Sequence, residues 1–173
     1  LTQPAGAGAT VEFRFRNGRK ASFEATEIDV KKLLEDVKTF IKTHDRSSEW
    51  WENTEISNLG YRLVEKNQRQ YLVGKPVSWE LELKPRADHF DKRITVQTPL
   101  KKAGAYLLIG RMDNGNVSRI VIWVADTALV KKVLDKASYF YAADAVTGAP
   151  IGRADLEFFG YWQEWVDRGA KYV

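Results

Sequence analysis

The chain has 173 residues, enough for one large domain or for one domain and part of a second. Hydrophobic residues make up 44% and aromatic residues 12% of the chain, which is ample for a packed core. The sequence contains no Cys, which excludes disulfides, thiolate metal sites and Cys nucleophiles within these residues. The formal net charge is +4, with basic and acidic residues interspersed, so nucleic-acid binding is not expected. No run approaches the roughly 18 apolar residues of a membrane span, so direct membrane insertion is not expected either.

The first nine residues are rich in Gly and Ala, and we predict a flexible linker over residues 1–9. Apolar and polar residues then alternate over 11–16 and 20–27, which indicates two strands with one buried face each. Asn17-Gly18 between them is a strong hairpin signal, so the two strands are predicted to pair with each other. This hairpin would carry a cluster of basic residues, for which a polyanion is a conceivable partner: Arg14, Arg16, Arg19 and Lys20.

The next segment has helical periodicity. Asp29 occupies a position typical of an N-cap, and apolar residues follow at helical spacing over residues 30–43. A second, weaker helix is predicted over about 55–68, where Gly60 lowers the helix propensity. We therefore predict a helical insert at about 29–68 in an otherwise β-rich chain.

A period of two returns over residues 76–84 and 92–98. Two further apolar runs, 104–112 and 117–125, flank the turn Asp113-Asn114-Gly115-Asn116 and predict a long hairpin near the centre of the sheet. Its second strand is apolar on both faces from Ile120 to Val124, so it is expected to be covered on both sides or mostly so.

The residues after Thr127 indicate the opening strands of another module. A strand is predicted over about 129–134, and strands 139–146 and 151–159 would flank the turn Thr147-Gly148-Ala149-Pro150. Six or seven short strands before this point suit an antiparallel sandwich. The predicted architecture is thus mainly β, with a β-sandwich over 10–127, its helical insert, and a partial second sandwich over 128–173.

Several patterns could carry chemistry, but each has a simpler structural interpretation. Asp88-His89-Phe90-Asp91 places two carboxylates around a His, yet a metal site needs three or four converging ligands, and the other His, His44, lies in a different region. The residues around Gly115 lack the Glu and the ligand spacing of a Ca²⁺ loop. Asn116-Val117-Ser118 fits the N-glycosylation sequon, which matters only in a host that glycosylates.

No catalytic pattern stands out. Glu80 and Glu82 share one strand face, as paired carboxylates of a glycosidase might, but they are the polar half of an alternating strand. No Ser lies in a G-x-S-x-G elbow. We therefore predict no catalytic residue, no metal site, no cofactor and no enzyme activity.

Aromatic pairs offer a different possibility. Trp50-Trp51 and the tail residues Tyr161, Trp162 and Trp165 could be sugar-stacking platforms, although packing is the usual role of such rings. In the tail we expect an apolar patch that a dimer partner or a neighbouring copy would cover. Its members are Phe158, Phe159, Tyr161, Trp162 and Trp165.

Two segments resemble a known family. The run from Pro99 to Leu108, followed by Ile120 to Thr127, resembles the closing strands of a macroglobulin domain, the sandwich unit of bacterial alpha-2-macroglobulin-like proteins. From Asp144 the chain follows the pattern D-x-x-T-G-x-P-x-x-x-A-x-L, which resembles the opening of a further such domain. The resemblance covers about Val77 to Phe159, extends to Val11 to Ile28, and covers the helical insert poorly.

This resemblance implies a fibronectin-like sandwich that serves as a non-catalytic structural segment of a protease-trapping inhibitor. The implied location is extracytoplasmic: secreted, periplasmic or anchored at the cell envelope. The implied partners are neighbouring domains of the parent chain and, through the full-length protein, a target endopeptidase.

The family's activity rests on a Cys-x-x-Gln thioester and a protease-cleaved bait segment. This chain has no Cys and no segment that fits a bait, so no functional residue is carried over. The alternative interpretation is a carbohydrate-binding or cell-surface adhesion module that uses exposed aromatic rings.

Overall fold

The structure, a computed structural model, describes residues 2–43, 62–63, 66, 68–160, 163–166 and 169–172. The chain divides into two compact units, one of Leu1–Ile28 with Gly74–Ala154 and one of Asp29–Val73 with Asp155–Val173. The described residues include the α-helix α1 (Val30–Thr43) and two short 3-10 helices, Arg69–Tyr71 and Ala87–His89. The strands are β1 (Thr2–Pro4), β2 (Thr10–Phe15), β3 (Lys20–Ile28), β4 (Leu72–Glu82), β5 (Lys92–Gln97), β6 (Gly104–Met112), β7 (Val117–Ala125), β8 (Thr127–Val133), β9 (Ser138–Asp144), β10 (Gln163–Val166) and β11 (Gly169–Tyr172).

The first unit contains an antiparallel β-sandwich, as the alternating pattern predicts. Its larger layer is a five-stranded sheet with the order β1-β7-β6-β3-β4, and its smaller layer is the pair β2-β5. Buried side chains from both layers form one apolar core. The β-sandwich prediction is confirmed. The core residues include Val11, Phe13, Phe15, Phe23, Ala25, Val96, Leu108, Ile122 and Val124.

The predicted pairing of residues 11–16 with 20–27 is wrong. Both segments are strands, and Asn17 between them adopts a left-handed conformation with φ of 62°. However, β2 pairs with β5, and β3 pairs with β6. The chain therefore passes from one layer to the other at Asn17. Burial explains this outcome, because the two strands place their apolar faces against each other across the core instead of side by side in one sheet.

The central hairpin is confirmed. Strands β6 and β7 pair antiparallel, with Tyr106 opposite Ile122 and Leu108 opposite Ile120. The apolar side chains of β7 are less completely buried than predicted. Ile122 is fully buried, whereas Ile120 is 43% exposed. The two-stranded layer is too narrow to cover the whole of the five-stranded sheet.

Part of the predicted N-terminal linker is ordered. Thr2–Pro4 forms β1, which pairs parallel with β7 at Trp123, Val124 and Ala125. The linker prediction is therefore wrong for these three residues, because composition rich in small residues did not reveal a short strand. At the opposite edge of the sheet, β4 contains Pro76, which suits an edge strand because Pro cannot donate a ladder hydrogen bond.

The second unit contains the predicted amphipathic helix. The Asp29 carboxylate accepts a hydrogen bond from the Lys32 backbone N–H at 2.9 Å, which confirms the predicted N-cap. Leu33, Val37 and Ile41 are buried on one face. The helix predicted over about 55–68 lies largely outside the described residues. No helix among the described residues has both the length and the apolar character needed to cross a bilayer.

The last part of the first unit is a two-stranded ribbon. Strands β8 and β9 pair antiparallel from Thr127 opposite Asp144 to Val133 opposite Ser138. The predicted strand over 151–159 is wrong, since those residues are exposed and irregular and only one bridge, from Ala143 to Pro150, continues the pairing. In the second unit the strands β10 and β11 form a short hairpin that the sequence did not indicate.

Candidate functional site

The loop Asp88–Asp91, a conceivable metal site from the sequence, serves in the structure as a connection between strands. Asp88 and His89 adopt left-handed backbone conformations, with φ of 58° and 59°. The Nδ1 atom of His89 lies 2.8 Å from Oδ1 of Asn17, at the crossover between the layers. Within the described ranges, no three His, Asp or Glu side chains are grouped so that they could hold a metal ion. The loop connects β4 to β5 and contacts the crossover.

Asp91 organises the charged surface beside this loop. Its Oδ1 accepts a hydrogen bond from Nε of Arg16 at 2.8 Å, and its Oδ2 accepts one from Nε of Arg14 at 2.7 Å. Arg14 also donates through Nη2 to the same carboxylate oxygen. These bonds, first from Arg16 and then from Arg14, hold the pKa of Asp91 below its ordinary value. A single carboxylate therefore fixes two guanidinium groups on the outer face of β2.

Further basic side chains converge on the same surface. The register of β2 and β5 places Arg14 directly opposite Arg93. An open cavity of about 600 Å³ is lined by Arg14, Arg86, Asp91, Lys92 and Arg93. In the sequence, Arg14 and Arg16 are grouped with Arg19 and Lys20 instead. Finding Arg86, Lys92 and Arg93 required the β2-β5 pairing, which the hairpin signal of Asn17-Gly18 obscures.

Lys20 lies elsewhere, on the five-stranded sheet. Its Nζ is 2.7 Å from a carboxylate oxygen of Glu80, and the hydrogen bond that Lys20 donates to this carboxylate raises the pKa of Lys20. Glu80 and Glu82 are both exposed on β4. Glu80 thus acts in a surface ion pair, which contributes little to stability at an exposed position.

The segment Asp113–Asn116 forms the turn between β6 and β7. Gly115 has φ of 90°, a conformation that favours glycine, and its N–H donates to the Met112 carbonyl at 3.0 Å. The Asp113 carboxylate accepts a hydrogen bond from the Arg19 backbone N–H at 3.1 Å. The Met112 carbonyl and the Asp113 carboxylate therefore stabilise this turn and the adjacent backbone at Arg19. Asn116, the Asn of the sequon, is exposed.

An apolar groove lies where the narrow layer leaves the larger sheet uncovered. It has a volume of about 460 Å³. The free edge of β2 borders it, and the Gln3 side chain covers the start of that edge. Its Oε1 accepts from the Thr10 N–H and its Nε2 donates to the Thr10 carbonyl, both at 2.6 Å. The groove is lined by Val11, Glu12, Phe13, Phe23, Leu108, Gly110, Ser118, Arg119 and Ile120.

The ribbon of β8 and β9 exposes apolar side chains that a finished core would bury. Val133 is 73% exposed and Val130 is 56% exposed. After β9, the Asp144 carboxylate accepts hydrogen bonds from the backbone N–H groups of Val146 and Thr147. Hydrogen bonds from Thr147 first, and then from Val146, lower the pKa of Asp144 and fix the predicted turn. Other exposed apolar residues of this region are Leu129, Leu134, Tyr139 and Val146.

The aromatic candidates are only partly described. Phe158 and Phe159 are exposed, as expected for the tail patch. Nζ of Lys38 lies 5.9 Å from the centroid of the Phe159 ring, and it also pairs with the Glu157 carboxylate. The side chains of Trp50, Trp51, Tyr161, Trp162 and Trp165 lie outside the described residues.

No protein-family model matches the chain, and no curated protein matches it. The similar solved structures include two fragments of native alpha-2-macroglobulin from Escherichia coli. The fragment spanning domains NIE-MG1 has a TM-score of 0.52 and 12% sequence identity, and the match covers 87% of this chain and 69% of that fragment. The fragment spanning domains MG0-NIE-MG1 has a TM-score of 0.47 and 12% identity, with 87% of this chain covered. This chain covers 45% of that longer fragment, about half of its length. The chain thus has a macroglobulin-like β-sandwich fold.

Proposed function

We propose that this chain is a non-catalytic structural segment of an extracytoplasmic, alpha-2-macroglobulin-like protein that traps proteases. The macroglobulin-like fold supports this role. Its similarity to a fragment that spans more than one domain of a larger protein supports it as well. The segment would hold neighbouring domains in an array that rearranges when a protease cuts the full chain.

The exposed ribbon of β8 and β9 is the observation that carries the proposal. An isolated two-stranded ribbon is marginally stable in water, because it lacks enough apolar surface to bury. Here both strands present apolar side chains to solvent, among them Val130 and Val133 of β8 and Tyr139 of β9. In an array of sandwich domains, these strands would pair with, and be covered by, the rest of the following domain.

Hydrogen exchange tests this proposal on the segment itself. In the chain of 173 residues the amides of β8 and β9 should exchange much faster than those of β6 and β7, which lie in the core hairpin. In a longer protein that continues beyond Val173, the ribbon amides should become protected. Ribbon amides that exchange equally fast in both proteins would contradict the proposed array.

The trapping role needs the full-length protein. After it is incubated with an endopeptidase, residual hydrolysis is measured with a large protein substrate and with a short peptide substrate. A trap excludes the large substrate and admits the small one, so only the first activity should fall. Equal loss of both activities would indicate a different kind of inhibition, and no loss of either would contradict the trapping role.

A further inference from the structure

The outer face of the β2-β5 layer concentrates positive charge. The antiparallel register places Arg14 opposite Arg93, and Arg16, just beyond β2, bonds the same Asp91 carboxylate as Arg14. Arg86 lies in the loop before β5. We call Arg14, Arg16, Arg86 and Arg93 the basic face. Like charges directly opposite each other on neighbouring strands are destabilising, so this arrangement has a cost when no anion is bound.

The negative charge near the basic face comes from Asp91 and from Glu12, which lies two residues before Arg14 on the same face of β2. Asp91 is shared between Arg14 and Arg16, and 27% of its side chain is exposed. Over the part of the chain that the structure describes, Arg86, Lys92 and Arg93 form no ion pair with a carboxylate. Lys92 instead donates to the Lys84 carbonyl at 2.7 Å. The face therefore has several cationic groups available for an anion.

Asp91 also restricts the two guanidinium groups. Each donates through Nε to a different oxygen of the carboxylate, which orients both groups before any ligand arrives. Side chains held in this way lose less conformational freedom on binding. Asp91 is thus a positioning residue.

We propose that the basic face binds a linear oligosaccharide that carries phosphate or sulfate groups. Guanidinium groups match the geometry of these oxyanions and can bind them through two parallel hydrogen bonds. The cavity of about 600 Å³ has the size of a small-ligand site and is open, so a chain can extend through it.

One aromatic ring favours a glycan over a nucleic acid. Phe90 precedes Asp91 in the chain and is 62% exposed, so part of its ring is available to one sugar ring. Single-stranded nucleic acids are bound by a series of aromatic rings on which successive bases stack. Among the described residues of β2 and β5, the aromatic rings Phe13 and Phe15 are buried in the core and offer no such series. The site is independent of the proposed scaffold role.

Calorimetric titration of the whole chain tests the proposal. The probes are a sulfated hexasaccharide of the heparin type, a neutral dextran hexasaccharide, and a single-stranded oligonucleotide with the same charge as the sulfated probe. The sulfated probe should bind, and its affinity should fall as salt is added because exposed charges are screened. Neutral dextran should not bind, and the oligonucleotide should bind more weakly.

Paired variants locate the site. Arg86→Gln with Arg93→Gln removes two charges from the basic face and should weaken binding of the sulfated probe by about tenfold or more, the factor expected when charge-assisted hydrogen bonds are lost. Lys132→Gln with Lys136→Gln removes two charges from exposed positions on and next to β8 and should leave the affinity within about twofold. Thermal unfolding of both variants checks that the fold is retained.

Asp91→Asn adds a second readout. It frees Arg14 and Arg16 and raises the local net charge, so a purely electrostatic surface would bind the sulfated probe more tightly. If Asp91 orients the guanidinium groups, the entropy of binding should become less favourable, because the ligand must then order groups that Asp91 no longer holds. Three outcomes would overturn the proposal: no binding of the sulfated probe, equal affinity of the two double variants, or oligonucleotide binding as tight as that of the sulfated probe.

Discussion

The ring of Phe13 lies edge to face against the ring of Phe23, with centroids 5.3 Å apart and ring planes at 75°. The two residues come from strands adjacent in sequence but belong to different layers of the sandwich. Phe23 in turn stacks on Trp79 of β4, with centroids 5.4 Å apart. The rings of Phe13 and Phe23 can pack across the core because the chain crosses from one layer to the other at Asn17, between these two residues.

Because Gly110 has no side chain, the Phe23 ring has room to pack against it. It lies opposite Phe23 in the pairing of β3 and β6, and a Cβ at this position would come within 3.2 Å of Cε1 of Phe23. We expect Gly110→Ala to lower the free energy of unfolding by about 1–3 kcal/mol, because the crowded ring must shift. Denaturant unfolding measures the change.

Two variants control for this effect. Gly152→Ala places a Cβ in open space and should leave stability nearly unchanged or slightly raised. Phe23→Leu added to Gly110→Ala should recover part of the loss, because the smaller side chain relieves the contact. A double variant whose losses simply add would show that the two residues do not interact in this way.

The helix cap gives a second prediction. Asp29→Ala removes the acceptor for the Lys32 backbone N–H and should destabilise α1 by about 1 kcal/mol. Asp29→Asn keeps a side-chain oxygen and should preserve most of the stability. Helix content is followed by circular dichroism during thermal unfolding. Equal destabilisation by Ala and Asn would contradict the capping role and would instead indicate an effect of the negative charge.

Features with local causes were predictable from sequence. The Asp29 cap, the helix it begins and the turn around Gly115 depend on residues a few positions apart. The pairing of β2 with β5 depends on residues 77 positions apart, such as Arg14 and Asp91. A strong turn signal such as Asn17-Gly18 does not reveal whether the two flanking strands pair side by side or face each other across a core.

Among the candidate sites too, those built from neighbouring residues were predictable and those built from distant residues were not. Predicting a turn at Asp113–Asn116 required only its own residues, and the structure confirms it. The basic face is built from residues of β2 and of a distant strand and loop, so its composition became visible only with the correct strand pairing. The short strand β1 was missed for a related reason, because its stabilising partner β7 is far away in sequence.

Acid should weaken the contacts of Asp91. The folded protein holds the pKa of this carboxyl below its ordinary value, so its contribution to stability is fully present above the unfolded pKa of about 3.9. That contribution is lost as the pH falls through the lower folded pKa. The stability difference between the native chain and Asp91→Asn should therefore be constant near neutral pH and shrink below about pH 4.

Urea unfolding at a series of pH values measures this difference. Asp135→Asn removes the same charge from an exposed turn and shows how much of the effect comes from net charge alone. A difference between the native chain and Asp91→Asn that stays constant down to pH 2 would contradict the assigned ion pairs.

Disulfide formation tests the central claim that β2 pairs with β5 and faces β3 across the core. The chain has no Cys, so pairs can be introduced without competing thiols. Glu12 lies directly opposite Thr95 in β2-β5, within the Cα separation that a disulfide needs. In the alternative hairpin of residues 11–16 and 20–27, Glu12 would instead lie opposite Glu24.

The decisive measurement is therefore the rate of oxidation of two double variants, Glu12→Cys with Thr95→Cys and Glu12→Cys with Glu24→Cys, followed by mass spectrometry. We predict rapid disulfide formation in the first and none in the second, because packed layers lie about 10 Å apart. Rapid oxidation of the second pair with a reduced first pair would contradict the two-layer arrangement.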